Sequence, residues 1–179
     1  MSEIEPWRNP RPVAQSVIVN RLVSAWLRNW LPAILWAAVI WTFSTKYFSA
    51  EQSGSILSAV AHRFFPSIAA ETLNLLNHYI RKTAHFTEYF VFCLLLFRAV
   101  RGGRKGWRWT WALTAFAIAA GYSALDEFHQ SFVPVRTASP YDSLLDSAGA
   151  FVSMFVSRLW IRLRGPQENV SPSRAAAPR

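Results

Sequence analysis

A chain of 179 residues that is 52% hydrophobic and holds 9 Trp and 13 Phe is one domain long and too apolar for an ordinary soluble fold. Its formal charge of +9 would point to nucleic acid in a soluble protein, but the basic residues flank apolar segments, which assigns them to membrane orientation and excludes a nucleic-acid partner. The single cysteine, Cys93, excludes a disulfide framework and a cysteine-only metal site.

In chain order, residues 1–29 form a leader bearing Arg8, Arg11, Arg21 and Arg28. It is too long and too rich in Pro and Arg for a typical signal peptide, so the first span reads as an uncleaved anchor. Within it Val17, Ile18, Leu22, Val23, Trp26, Leu27 and Trp30 recur near helical spacing, which predicts an amphipathic helix in the membrane interface. Four apolar stretches follow, at Trp30–Phe48, Thr83–Val100, Trp109–Leu125 and Leu144–Ile161, each about as long as a helix needs to cross the hydrocarbon core. Trp30, Trp36 and Trp41, then Trp107, Trp109 and Trp111, then Trp160 read as interfacial anchors. Between the first two spans, Ile56, Leu57, Val60, Ala61, Phe64 and Phe65 predict a second interfacial helix ending at Pro66. From Gly165 the Pro, Ser and Ala content predicts a disordered tail, residues 165–179.

The expected fold is therefore all-α: a polytopic membrane protein with four transmembrane helices, a membrane domain over residues 30–164, and interfacial amphipathic helices. The leader, the loop with Arg101, Arg104, Lys105 and Arg108, and the tail with Arg158, Arg162 and Arg164 all fall on one side of a four-helix topology. The positive-inside rule makes that side, and both termini, cytoplasmic.

Against this apolar background the charged residues need explaining, because one at the centre of a span costs about 2.5 to 3.5 kcal/mol on insertion scales. In the second span Arg81, His85 and Glu88 stand at i, i+4 and i+7, with Lys82 beside them, so they share one sector of the helix. The third span ends in Asp126, Glu127, His129 and Gln130, with Asp126 and His129, and Glu127 and Gln130, at i and i+3. After a connection containing Arg136, Ser139 can N-cap the fourth helix with Pro140 in its first turn. Asp142 and Asp146 follow at i and i+4, and Gly149 and Ser153 continue their stripe with small side chains, which lets another helix approach. The topology brings all three groups to the outer end of the bundle, near the extracytoplasmic face.

The stretches RKTAHFTEY (81–89) and DEFHQSFVPVRTASPYDSLLDSAG (126–149) resemble the two signature blocks of the VanZ-like membrane protein family, and the resemblance runs roughly from Trp36 to Val156. It implies a small multi-spanning protein of the bacterial plasma membrane. The family's founding member is linked to glycopeptide, specifically teicoplanin, resistance. No agreed catalytic mechanism comes with the resemblance, and resistance does not follow for this chain from the motif.

Two readings of the polar residues stand. In one, they recognise, with chemical modification as a further option, an anionic cell-envelope component such as a lipid headgroup or lipid-linked wall precursor. Arg81, Lys82 and Arg136 then hold a phosphate or carboxylate, with Gln130, Ser139, Asp142 and Asp146 as further ligand-binding candidates. His85 or His129 serves as general base or acid tuned by Glu88 or Asp126, with Glu127 a further catalytic candidate. In the other, the chain is a noncatalytic scaffold or partner-binding subunit whose charges pair internally: Arg81 or Lys82 with Asp126 or Glu127, and Arg136 with Asp142 or Asp146. No cofactor is expected. A divalent metal on His85 with Glu88, or on His129 with Asp126 or Glu127, is the weaker variant, since the spacing lacks the HExxH pattern and nearby Arg and Lys repel a cation. Oligomeric state is not legible.

Overall fold

The structure, a computed structural model, describes residues 12–45, 50–133 and 139–165. Among them are five helices and no strand: α1 (Pro12–Phe43), α2 (Ala50–Phe64), α3 (Ala70–Arg101), α4 (Trp109–Gln130) and α5 (Pro140–Leu163). Three of these, α1, α3 and α5, are long and apolar enough to cross a membrane. α4 carries Thr110, Thr114, Tyr122, Ser123, Asp126 and Glu127 among its apolar residues.

The central element is α3, which packs against α1, α2, α4 and α5. Side-chain pairings give the directions. Lys82 meets Asp142 and His85 meets Asp146, so α3 and α5 run parallel. Trp107 bonds Ser157 while Ser123 bonds Asp146, so α4 runs antiparallel to α5 and returns the chain between them. Tyr122 donates to the Ala37 carbonyl at 2.8 Å and Trp41 stacks on His129, placing α1 parallel to α4.

Small residues permit this packing. In α4, Ala112, Ala115 and Ala119 are fully buried at i, i+3 and i+7, a smooth stripe on which neighbouring helices close. In α5, Gly149 presents its missing side chain to α3: a Cβ there would lie 2.3 Å from the Phe86 carbonyl oxygen. Around these contacts Tyr89, Phe92, Cys93, Leu96 and Phe97 of α3 pack with Ile40, Ala150 and Met154 to form the core. Outside it the surface is greasy, with Leu113, Ile118, Phe151, Phe155 and Leu159 exposed, as lipid contact requires.

The expected separate interfacial helix before the first span is absent among the described residues. From Pro12 the chain runs unbroken into the span, with Pro32 inside the helix. Proline lacks the N–H that would bond the carbonyl four residues earlier, that of Arg28. That carbonyl instead accepts a hydrogen bond from Arg98 Nη2 of α3 at 3.0 Å, which is how a membrane helix tolerates an interior proline. The helix expected between the first two spans is present as α2, with Ile56, Val60 and Phe64 exposed. It leans on α3, which begins well before the expected Thr83: Ser53 bonds Asn77 at 3.0 Å across the two helices. The tail from residue 166 lies outside the described residues.

Trp36, expected as an anchor, also ties helices together: its Nε1 donates to the Glu88 carbonyl at 2.9 Å, which holds α1 against α3. At the opposite end of the bundle Arg104 and Arg108 lie over Trp111 and Arg158 over Trp107 and Trp109, a belt of cation–π pairs. There α3 stops at Gly102, whose left-handed backbone (φ 59°) lets its N–H close on the Arg98 carbonyl, the usual work of a C-terminal glycine.

Candidate functional site

Where α4 ends and α5 begins, the polar side chains of α3, α4 and α5 gather. A cleft of about 240 Å³ opens between α1, α2 and α3, lined by Phe43, Ser44, Ser53, Ile80, Arg81, Ala84, His85 and Glu88. Helical spacing explains the α3 contribution, because residues 81, 84, 85 and 88 fall on one face. The lining is amphiphilic: a guanidinium, an imidazole, a carboxylate and two hydroxyls beside the apolar groups of Phe43, Ile80 and Ala84.

Behind the cleft His85 turns inward. Its Nδ1 lies 3.5 Å from Oδ1 of Asp146, with the His85 side chain 18% exposed and Asp146 fully buried. Ser123 Oγ donates to the other Asp146 oxygen at 2.9 Å and also meets Ser143 Oγ at 3.0 Å. One residue from each of α3, α4 and α5 thus forms a chain: Ser123 steadies Asp146, and Asp146 faces the imidazole. The Gly149 contact makes this possible, since it brings α5 against α3 one turn beyond Asp146.

A second buried arm reaches the same cleft through Ser44. Gln130 Nε2 donates to Asp126 Oδ2 at 2.9 Å and approaches Ser44 Oγ at 3.5 Å, while Ser44 lines the cleft. The expected Asp126–His129 pair does not form. Asp126 uses the i+4 amide of Gln130, and His129 stacks on Trp41 with ring centroids 4.1 Å apart, away from the cleft. Between the arms sits Tyr89, fully buried. Its hydroxyl and Asp126 Oδ1 make no hydrogen bond among the described residues, and His85 Nδ1 and Asp146 Oδ1 have only their 3.5 Å approach to each other. Such buried polar groups are costly in a dry core.

The other candidates have structural partners. Lys82 pairs with Asp142 of α5, both part-exposed, rather than with Asp126 or Glu127, because α3 borders α5 at this level while the α4 acids turn elsewhere. Glu127 accepts the Ser139 N–H at 2.9 Å. Ser139 does occupy the N-cap of α5, with Pro140 after it, but its side chain makes no capping bond, and the α4 carboxylate ties down the helix start in its place. Arg136 lies outside the described residues. Among the described residues no three His, Cys, Asp or Glu side chains converge in a metal-ligating group; of the expected donor pairs, His85 and Glu88 share the cleft, while His129 stacks on Trp41 and Asp126 takes Gln130.

The sequence model of the VanZ/LLP1 family matches residues 29–161, about three quarters of the chain. The protein belongs to the VanZ/LLP1 family. No curated protein and no solved structure matches it. Family membership and helices apolar enough to span a bilayer make it a membrane protein. The two VanZ-like blocks are separated by 36 residues in sequence (90–125) yet lie side by side: block one supplies Arg81, Lys82, His85 and Glu88 on α3, and block two supplies Asp126, Gln130, Asp142, Asp146 and Gly149 on α4 and α5.

Sequence reasoning left Ser44, Ser53 and Ser123 out of the site. Ser123 carried a weak signal, standing three residues before Asp126 on the same helix. Ser44 and Ser53 carried none, since single serines at helix ends are ordinary.

Proposed function

We propose that this VanZ/LLP1 protein recognises the anionic group of a cell-envelope lipid or lipid-linked precursor at the extracytoplasmic face of the bacterial plasma membrane. The observation that carries the reading is the pairing of Arg81 and His85 on one cleft wall, with His85 backed by the buried Asp146. Arg81 offers a fork of donors to phosphate or carboxylate. Asp146 faces the Nδ1–H and stabilises the imidazolium, whose Nε2–H then donates to an anionic ligand or moves a proton. Phe43 and Ile80, both exposed, give the cleft an apolar edge for the chain attached to such a headgroup.

The topology belongs to the same proposal. The 22 residues of α4 extend about 33 Å at 1.5 Å per residue, enough to cross a core of about 30 Å, and α4 runs between two helices that qualify as spans. Four spans put the basic loop, 101–108, and both termini in the cytoplasm and the cleft outside. The scaffold reading draws on the Lys82–Asp142 pair, the Glu127–Ser139 bond and the His85–Asp146 approach; the headgroup reading draws on Arg81 and His85 lining the cleft together.

Two measurements test this. Cys93 is buried, so a Ser53→Cys variant carries one accessible thiol; a membrane-impermeant maleimide added to intact cells is expected to label it and to leave Lys105→Cys unlabelled until the cells are opened. Purified protein titrated with short-chain phospholipids is expected to bind them, and Arg81→Gln to weaken that binding at least tenfold. Equal binding by wild type and Arg81→Gln, with both folded, refutes the headgroup site.

A further inference from the structure

The proposed headgroup site contains a group that works against a simple anion. Glu88 stands three residues after His85 and seven after Arg81, on the same face of α3, and lines the same cleft. Its carboxylate acts electrostatically on both Arg81 and His85. A cleft selected for anionic ligands alone gains nothing from a carboxylate beside the anion, because like charge disfavours binding at this range. The arrangement is dipolar, positive at Arg81 and His85 and negative one turn further into the bundle.

We propose that the ligand is a phosphate bearing a primary amine on a short arm, the phosphate held by Arg81 and His85 and the ammonium by Glu88. This rests on the reading of the cleft as a headgroup site and names its chemical class. Size permits it: a cleft of about 240 Å³ has room for a phosphate with a two-carbon amine. A primary amine is favoured over a quaternary one because Glu88 accepts N–H hydrogen bonds, whereas quaternary ammonium recognition uses a cage of aromatic rings, and among the described lining residues the rings are the Phe43 phenyl and the His85 imidazole. The same chemistry exists in membrane lipids carrying phosphoethanolamine and in soluble phosphoamines, and the apolar edge at Phe43 and Ile80 suits the lipid.

The test uses the full chain in detergent, titrated with dihexanoyl phosphatidylethanolamine, phosphatidylglycerol and phosphatidylcholine, with glycerophosphoethanolamine as soluble competitor. Wild type is expected to bind the ethanolamine lipid at least tenfold more tightly than the other two. Glu88→Gln is expected to weaken binding of the ethanolamine lipid at least tenfold and so to lose that preference, with thermal unfolding in detergent as the control for folding. Competition by glycerophosphoethanolamine at matched concentration supports the proposal with a soluble source; its failure, with the lipid bound, supports it with a membrane source. Equal wild-type affinity for ethanolamine and glycerol lipids overturns the proposal, as does a Glu88→Gln variant that binds every headgroup more tightly, since Glu88 would then merely neutralise Arg81. Those outcomes leave the headgroup site standing if Arg81→Gln still abolishes binding; if no phospholipid binds at all, both readings fall.

Discussion

Gly149 of α5 lies so close to α3 that a methyl group added to it would sit 2.3 Å from the carbonyl oxygen of Phe86. The obstacle is main chain, which cannot swing aside as a side-chain tip can. Contact at this point holds α5 in the register that sets Asp146 against His85 and Asp142 against Lys82.

Gly149→Ala is therefore expected to destabilise the protein by about 1 to 3 kcal/mol, the usual cost of overpacking, and to weaken headgroup binding by pulling Asp146 away from His85. Gly121 of α4 is the matched control. Nothing lies within 4 Å of its added Cβ, so Gly121→Ala should leave thermal unfolding in detergent unchanged or raise it slightly through helix propensity. Equal losses at the two positions would contradict the close α3–α5 contact.

Asp146→Ala removes the acceptor for Ser123 and the group facing His85. At about 0.6 to 2 kcal/mol for each interhelical polar contact, a loss of roughly 1 to 4 kcal/mol is expected. Asp146→Asn keeps the shape and a hydrogen bond to Ser123 but removes the charge. It should retain most of the stability while phospholipid affinity falls several-fold. Binding that follows stability in both variants would show that Asp146 acts only as a brace.

Lys82 and Arg81 are neighbours with different work. Lys82 and Asp142 form a part-exposed pair, and such pairs contribute about 0 to 1 kcal/mol. Lys82→Met is expected to lower stability within that range and to leave phospholipid binding unchanged, whereas Arg81→Gln reduces binding. A Lys82→Met, Asp142→Leu double-mutant cycle in thermal stability measures the pair alone.

Arg98 satisfies the Arg28 carbonyl that Pro32 leaves without its helical donor. Arg98→Met should cost about 1 kcal/mol, the ordinary worth of such a bond. Combined with Pro32→Ala, which restores the N–H, the same substitution should cost measurably less. Additive losses in thermal unfolding would separate Arg98 from the proline.

How far the sequence could be read depended on which physical rule was being used. Hydropathy and length gave the all-helical membrane class, the start of α4 at Trp109 and the position of Ser139 and Pro140 at the head of α5, because these depend on composition and local backbone chemistry. The stripe of Asp142, Asp146, Gly149 and Ser153 was legible as one face for the same reason.

What only the tertiary structure decided was which partner each polar group takes. Helical spacing places Asp126 equally near His129 and Gln130 along its own helix, and only packing against α1 sends the histidine to Trp41 and leaves the amide with Asp126. Charge alone would have paired Lys82 with an α4 acid, but the missing side chain at Gly149 brings α5 to that position. A pattern of i, i+3 and i+4 determines which residues share a face of a helix. Which helix that face meets, and at what depth, is set by the small residues that let two backbones touch, and that is a property of the assembled bundle.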